Sequence, residues 1–132
     1  KAFWGDPKGA REEAKQWYKD HPDKKNIGVK ASDFCAKKFT GNKCEIVDCK
    51  YYYYRLVDSA HKVINIRNMN VYADKGLNDS NYKACQKEAS KYKGCEVSKA
   101  LKDCMEEKDK ASWGKFEAFL DDVSADNEYP KA

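Results

Sequence analysis

The chain has 132 residues, 41% of them hydrophobic and 36% charged, with a net charge of +4. This length suits one domain, the apolar share excludes a fully disordered chain, and no run approaches the roughly 18–20 apolar residues of a membrane span. The charge is uneven: residues 1–102 carry +9 and residues 103–128 carry −6, and a basic body of this kind can steer anionic partners or serve as a solvated lysine coat that keeps the protein soluble.

In chain order, Asp6-Pro7 reads as a helix start, aspartate as N-cap and proline in the first turn. A helix over residues 8–19 follows, with Ala10, Ala14, Trp17 and Tyr18 on one side, and His21-Pro22-Asp23 ends it. Residues 24–30 form a polar connection. Ser32 caps a short helix over 33–39, stopped by Gly41-Asn42. A longer helix is expected over 43–60, where Ile46, Cys49, Tyr53, Leu56, Val57 and Ala60 recur at three- and four-residue steps. Residues 63–73 are the least regular, because asparagines and β-branched residues weaken a helical pattern; a short strand or a loop fits as well. Asp79-Ser80 caps a helix over 81–92 that ends at Gly94. Val97, Ala100, Leu101, Cys104 and Met105 mark the next helix. Ser112 starts the last, with an apolar stripe of Trp113, Phe116, Phe119, Leu120 and Val123. The reading is all-α: a compact, disulfide-linked bundle of five to seven short helices. Residues 1–31 form an N-terminal helix and connection, 32–123 the linked domain, and 124–132 a polar tail.

Six cysteines, Cys35, Cys44, Cys49, Cys85, Cys95 and Cys104, lie in the middle of the chain. An even count in a small chain indicates a disulfide framework and an oxidising destination. The start, Lys1-Ala2-Phe3-Trp4, fits a mature secreted form. Zinc is disfavoured, since no pair is spaced C-x-x-C and only His21 and His61 could supply nitrogen. Of the 15 connectivities six cysteines allow, helix geometry disfavours those with Cys44–Cys49, whose side chains point about 140° apart. It also disfavours Cys95–Cys104, because nine helical residues span about 13.5 Å against a limit of roughly 7 Å between bridged Cα atoms. The remaining pairings stay open on geometry alone.

The sequence has no Gly-rich phosphate loop, nucleophile elbow or H-E-x-x-H motif, so no enzyme is expected, and no cofactor. His61 near Asp58 reads as structural, and Glu106-Glu107 and Asp121-Asp122 as solvated acids. No motif supports sequence-specific nucleic-acid recognition, and a monomer is expected.

The cysteine pattern resembles the insect odorant-binding-protein superfamily: three early cysteines, 35 residues between Cys49 and Cys85, then Cys95 and Cys104 eight residues apart. The short interval between Cys35 and Cys44, and the lysine- and tyrosine-rich run from Cys49 through Tyr51–Tyr54 to Asp58, make it most similar to the small salivary proteins of blood-feeding sand flies. The resemblance covers about residues 32–123. It implies an all-helical fold with interlocked bridges Cys35–Cys49, Cys44–Cys95 and Cys85–Cys104.

Two functional readings follow. In the first, a lysine-rich face binds sulfated or phosphorylated polyanions through charge and counterion release. Lys83, Lys87 and Lys91 fall at i, i+4 and i+8, and Lys93, Lys99 and Lys102 continue the charge. Lys37, Lys38, Lys43, Lys50 and Arg55 form a second basic group. The resemblance implies the same class, since some sand-fly members block contact activation of coagulation on anionic surfaces and related salivary proteins inhibit complement; a host coagulation or complement protein is a further expected partner. In the second reading, a helical pocket lined by Tyr72, Met105, Trp113, Phe116 and Phe119 carries an eicosanoid or a biogenic amine, with Glu117, Asp121, Asp122 and Asp126 available to an amine through charge.

Overall fold

The computed structural model describes residues 29–66 and 68–125. The helix expected over 8–19 and the tail beyond Ala125 lie outside the described residues. Helix α1 spans Ala31–Lys38 and α2 spans Lys43–Tyr53. A 3-10 helix, η1, runs over Met69–Lys75. Helix α3 spans Asp79–Ala89, and α4 spans Cys95–Ser124. Among the described residues the extended pairing is one isolated bridge between Val57 and Val63. The architecture is the all-α, disulfide-linked bundle expected, with α2 and α3 packed along the long α4.

The boundaries differ from the sequence reading in three respects, each for a local reason. Helix α2 stops at Tyr53 rather than at residue 60. Arg55 takes a positive φ of 67°, and the chain turns back so that Val63 meets Val57. Asp58 holds this reversal: its Oδ1 accepts from the backbone N–H of Ala60 at 2.8 Å and of Lys62 at 3.0 Å. Leu56 and Val57 are still fully buried, so the apolar spacing that suggested more helix marks core residues delivered by a turn.

The second difference is in the caps. Ser32 does not cap α1; its hydroxyl and N–H instead reach across to Asp121. Asn42 and Asn78 cap α2 and α3, accepting from the N–H of Glu45 and Asn81, so Asp79-Ser80 is the first turn of α3 rather than its cap. Gly94, at φ +59°, precedes α4 rather than stopping α3.

The third is α4, where two expected helices join end to end. The junction is Asp109, whose extended backbone interrupts the helical conformation. Its carboxylate accepts from the Ser112 N–H at 3.1 Å and the Ser112 hydroxyl at 2.8 Å. Asp109 therefore caps the second segment, three residues before the expected start. Ser124, assigned to the polar tail, is the last helical residue and is buried.

The core centres on Tyr51, Leu56, Tyr82, Leu101, Trp113, Phe116 and Leu120, all essentially without exposure. Buried polar tips find partners, as desolvation demands. The Trp113 indole donates to the Tyr51 hydroxyl at 3.0 Å, and the Tyr82 hydroxyl donates to the Ile64 carbonyl at 2.8 Å. Gly76 closes η1 against α4 at φ +102°, where a Cβ would lie 2.2 Å from the Ser112 carbonyl oxygen; only glycine fits this approach. The three bridges are those the resemblance implies: Cys35–Cys49, Cys44–Cys95 and Cys85–Cys104.

Candidate functional site

The lysines of the expected basic face divide by their neighbours. On α3, Lys83 and Lys87 are exposed, and among the described residues neither ammonium pairs with a carboxylate. Lys91, just past α3, pairs with Glu88 at 3.1 Å across an exposed surface, where such a pair contributes little and is easily exchanged. Lys93 is exposed ahead of α4. Lys37 and Lys38 project from α1, with the Lys38 ammonium over the Phe34 and Phe39 rings at 5.7 and 5.5 Å. Lys43 is exposed at the start of α2, and Lys50 is half-buried on it. Arg55, also half-buried, points its guanidinium back to the Tyr52 carbonyl at the end of α2. The Cys44–Cys95 bridge, with Cα atoms 5.6 Å apart, holds the Cα atoms of Lys43 and Lys93 within about 17 Å of each other. The two basic groups are thus covalently joined.

Lys99 and Lys102 behave differently. Lys99 meets Asp103 at 2.9 Å on the surface, and this hydrogen bond and charge raise its proton affinity. Lys102 is only 26% exposed, with Glu106 at 2.9 Å and Glu117 at 3.3 Å. Burial opposes its charge most strongly, but the two carboxylates outweigh that and its pKa is raised. Lys102 is withdrawn from the basic surface because it balances a partly buried acidic pair.

The acids proposed for an amine are also engaged. Glu117 accepts from the Tyr51 hydroxyl, whose pKa is pushed well up, first by burial and then by the Glu117 charge. Asp121 accepts from the Ser32 N–H at 3.0 Å, the Ser32 hydroxyl at 2.7 Å and the Tyr54 hydroxyl at 2.9 Å. Asp122 meets Lys30 at 3.0 Å. Asp126 lies outside the described residues. Of the five residues placed in a ligand pocket, Tyr72, Phe116 and Phe119 pack on one another with ring centres 6.0–6.1 Å apart. Trp113 stacks beside Phe116, and Met105 is buried in the same core.

The sequence reads His61 as a structural residue near Asp58. Its structural partner is instead Asp48 on α2, with Nδ1 3.0–3.1 Å from both carboxylate oxygens. The buried Ser98 hydroxyl of α4 donates to the same carboxylate at 2.8 Å. No linear spacing signals this cluster; it forms because the turn after α2 carries residue 61 back over residue 48.

Among the described residues, surface cavities border these elements. One, of about 510 Å³ between α3 and α4, has four carboxylates (Glu88, Glu96, Asp103, Glu107) against Lys99 and Lys108. The second, of about 390 Å³, includes His61, Lys62, Gln86, Ser90, Tyr92 and Lys93, and among the described residues no carboxylate lines it. The third, of about 240 Å³, mixes Phe39, Tyr52 and Tyr53 with Glu45, Asp48, Asp58 and Lys38. No helix among the described residues is long and apolar enough to cross a membrane.

Comparison with known proteins agrees with the cysteine pattern. Over 120 residues, 89% of the chain, it is 36% identical to the long form salivary protein D7LC of Phlebotomus papatasi. Over 101 residues, 74% of the chain, it is 32% identical to a long form salivary protein of Phlebotomus duboscqi. The chain spans 46% and 39% of these relatives, less than half of either. No family model and no solved structure matches it. Over most of its length the chain is thus a homologue of sand-fly salivary proteins, consistent with an odorant-binding-protein-like salivary family, and this kinship implies secretion.

Proposed function

We propose that this salivary-type protein binds polyanions or anionic surfaces through its lysine-rich face, and so interferes with host haemostasis, at contact activation of coagulation, or with complement. The observation that carries the reading is the exposed stripe of Lys83 and Lys87 on α3 and Lys91 just past its end, tied through Cys85–Cys104 to α4 and through Cys44–Cys95 to the second basic group. Ammonium groups held on a rigid body attract sulfate and phosphate without ordering flexible segments first. Lysine rather than arginine predominates, which suits diffuse attraction to a polymer over bidentate recognition of one group. A carrier of an eicosanoid or amine is the weaker reading, because four of the five proposed lining residues are buried in the core with Phe119 packed against it, and three of the four proposed acids have partners within the protein.

Binding to heparin or dextran sulfate should fall steeply with salt. Lys83→Glu/Lys87→Glu/Lys91→Glu should weaken it roughly tenfold or more at about 0.1 M salt, whereas charge reversal at Lys99 and Lys102 should weaken it far less. Salt-independent retention, or equal losses from the two sets, would overturn the proposal. Calorimetry with serotonin and leukotrienes separates the carrier reading.

A further inference from the structure

The 390 Å³ cavity beside His61 differs in kind from the open lysine stripe. It lies where the turn after α2 meets the end of α3 and the start of α4, and its size falls within the range of about 300–1,000 Å³ typical of small-ligand sites. Lys62 and Lys93 line it from two different segments. Among the described residues neither ammonium has a carboxylate partner, and no carboxylate lines the cavity. The nearest acid on the Lys62 loop, Asp58, is occupied by the backbone of Ala60 and Lys62. Asp48 is buried and turned to Ser98 and to Nδ1 of His61. The Gln86 amide is fixed by Val63 and Asn65 at 3.3 and 2.9 Å. The exposed Tyr92 is shared with the neighbouring cavity that holds four carboxylates. An anion moving along this surface therefore meets attraction on one side of Tyr92 and repulsion on the other.

We infer that this cavity is a discrete anion subsite that takes one sulfate or phosphate ester group, an anchor for the end or a single unit of a polyanion. The inference rests on the polyanion reading for its biological use, but it makes a separate physical claim. A concave site with two lysines on its lining restrains an anion where a convex stripe only concentrates it, so the cavity should bind short anions that the stripe holds too weakly to detect.

The test uses the full chain with two probes, inorganic tripolyphosphate and a fully sulfated heparin disaccharide, followed by NMR shifts of Lys62, Lys93 and His61. Retention on immobilised dextran sulfate is measured on the same protein. Saturable 1:1 shifts at these three residues are expected with at least one probe, and the probe that saturates identifies phosphate or sulfate as the source. Lys62→Ala, which lies outside the lysine stripe, should weaken that binding roughly tenfold with an unchanged circular dichroism spectrum and largely intact dextran sulfate retention. Lys83→Glu/Lys87→Glu/Lys91→Glu should do the reverse. Polymer retention without saturable short-anion binding would overturn the subsite and leave the stripe standing. Saturable binding without polymer retention would support the subsite and overturn the polyanion reading. Absence of both would overturn both.

Discussion

The two segments of α4 are held in different ways. The first, from Cys95 to the junction at Asp109, is fixed covalently: Cys95 ties it to α2 and Cys104 ties it to α3. Its outer surface is crowded with charge, and Lys99 and Lys102 are paired within it. The second, beyond Asp109, has no cysteine. Trp113, Phe116 and Leu120 hold it by burial, while Asp121 and Ser124 hold it by hydrogen bonds to Ser32, Tyr54 and the Ala31 N–H, the last at 2.8 Å. A disulfide acts mainly by restricting the unfolded chain, and packing acts in the folded state. One helix thus uses both, divided at its kink, and the basic elements gather around the covalent half.

Breaking that division should give effects of graded size. Replacing Cys44 and Cys95 together by serine removes the bridge with the widest separation, 51 residues, and should cost about 4 kcal/mol, read from denaturant unfolding. A loss below about 1 kcal/mol would mean that packing fixes the first segment as well. Next, Asp121→Ala leaves the Ser32 N–H and two hydroxyls without their acceptor and should cost about 2–3 kcal/mol. Faster hydrogen exchange confined to α1 and the end of α4 is its signature, and unaltered exchange there would refute the bracket. The smallest effect is at the junction. The pKa of Asp109 is depressed by the hydrogen bonds from Ser112, the backbone N–H first. A carboxyl depressed in the folded state stabilises above its unfolded pKa, and the gain is lost as pH falls through the folded pKa. Asp109→Asn, which keeps a capping oxygen, should therefore lower the melting temperature slightly at neutral pH and converge with the parent protein in acid. A constant difference across pH would show that the carboxylate charge plays no part.

Much of this comparison can be read in the sequence, but unevenly. The two segments of α4 are visible as separate apolar stripes around Leu101 and Phe116, and the capping signal was placed at Ser112 rather than at its partner Asp109. Helix α3 and its buried face of Tyr82, Cys85 and Ala89 follow from spacing, because period and burial agree there. The end of α2 was not visible. Leu56 and Val57 continue a helical period and are buried, yet a reversal buries them equally well, and periodicity cannot separate the two. Lys102 looks in sequence like any surface lysine; its partial burial and its contact with Glu117, fifteen residues away, come from the fold.

By itself the sequence determined the all-helical class, the cysteine framework and its salivary resemblance, and the excess of lysine, because composition, period and cysteine order are properties of the linear chain. Tertiary structure decided which lysines remain unpaired, which acid accompanies His61, and where a cavity without carboxylates lies. Those are outcomes of distance in space: a turn of a few residues after α2 sets His61 against Asp48 and puts Lys62 on the lining of the same cavity as Lys93, and electrostatic interaction depends on that separation rather than on separation along the chain.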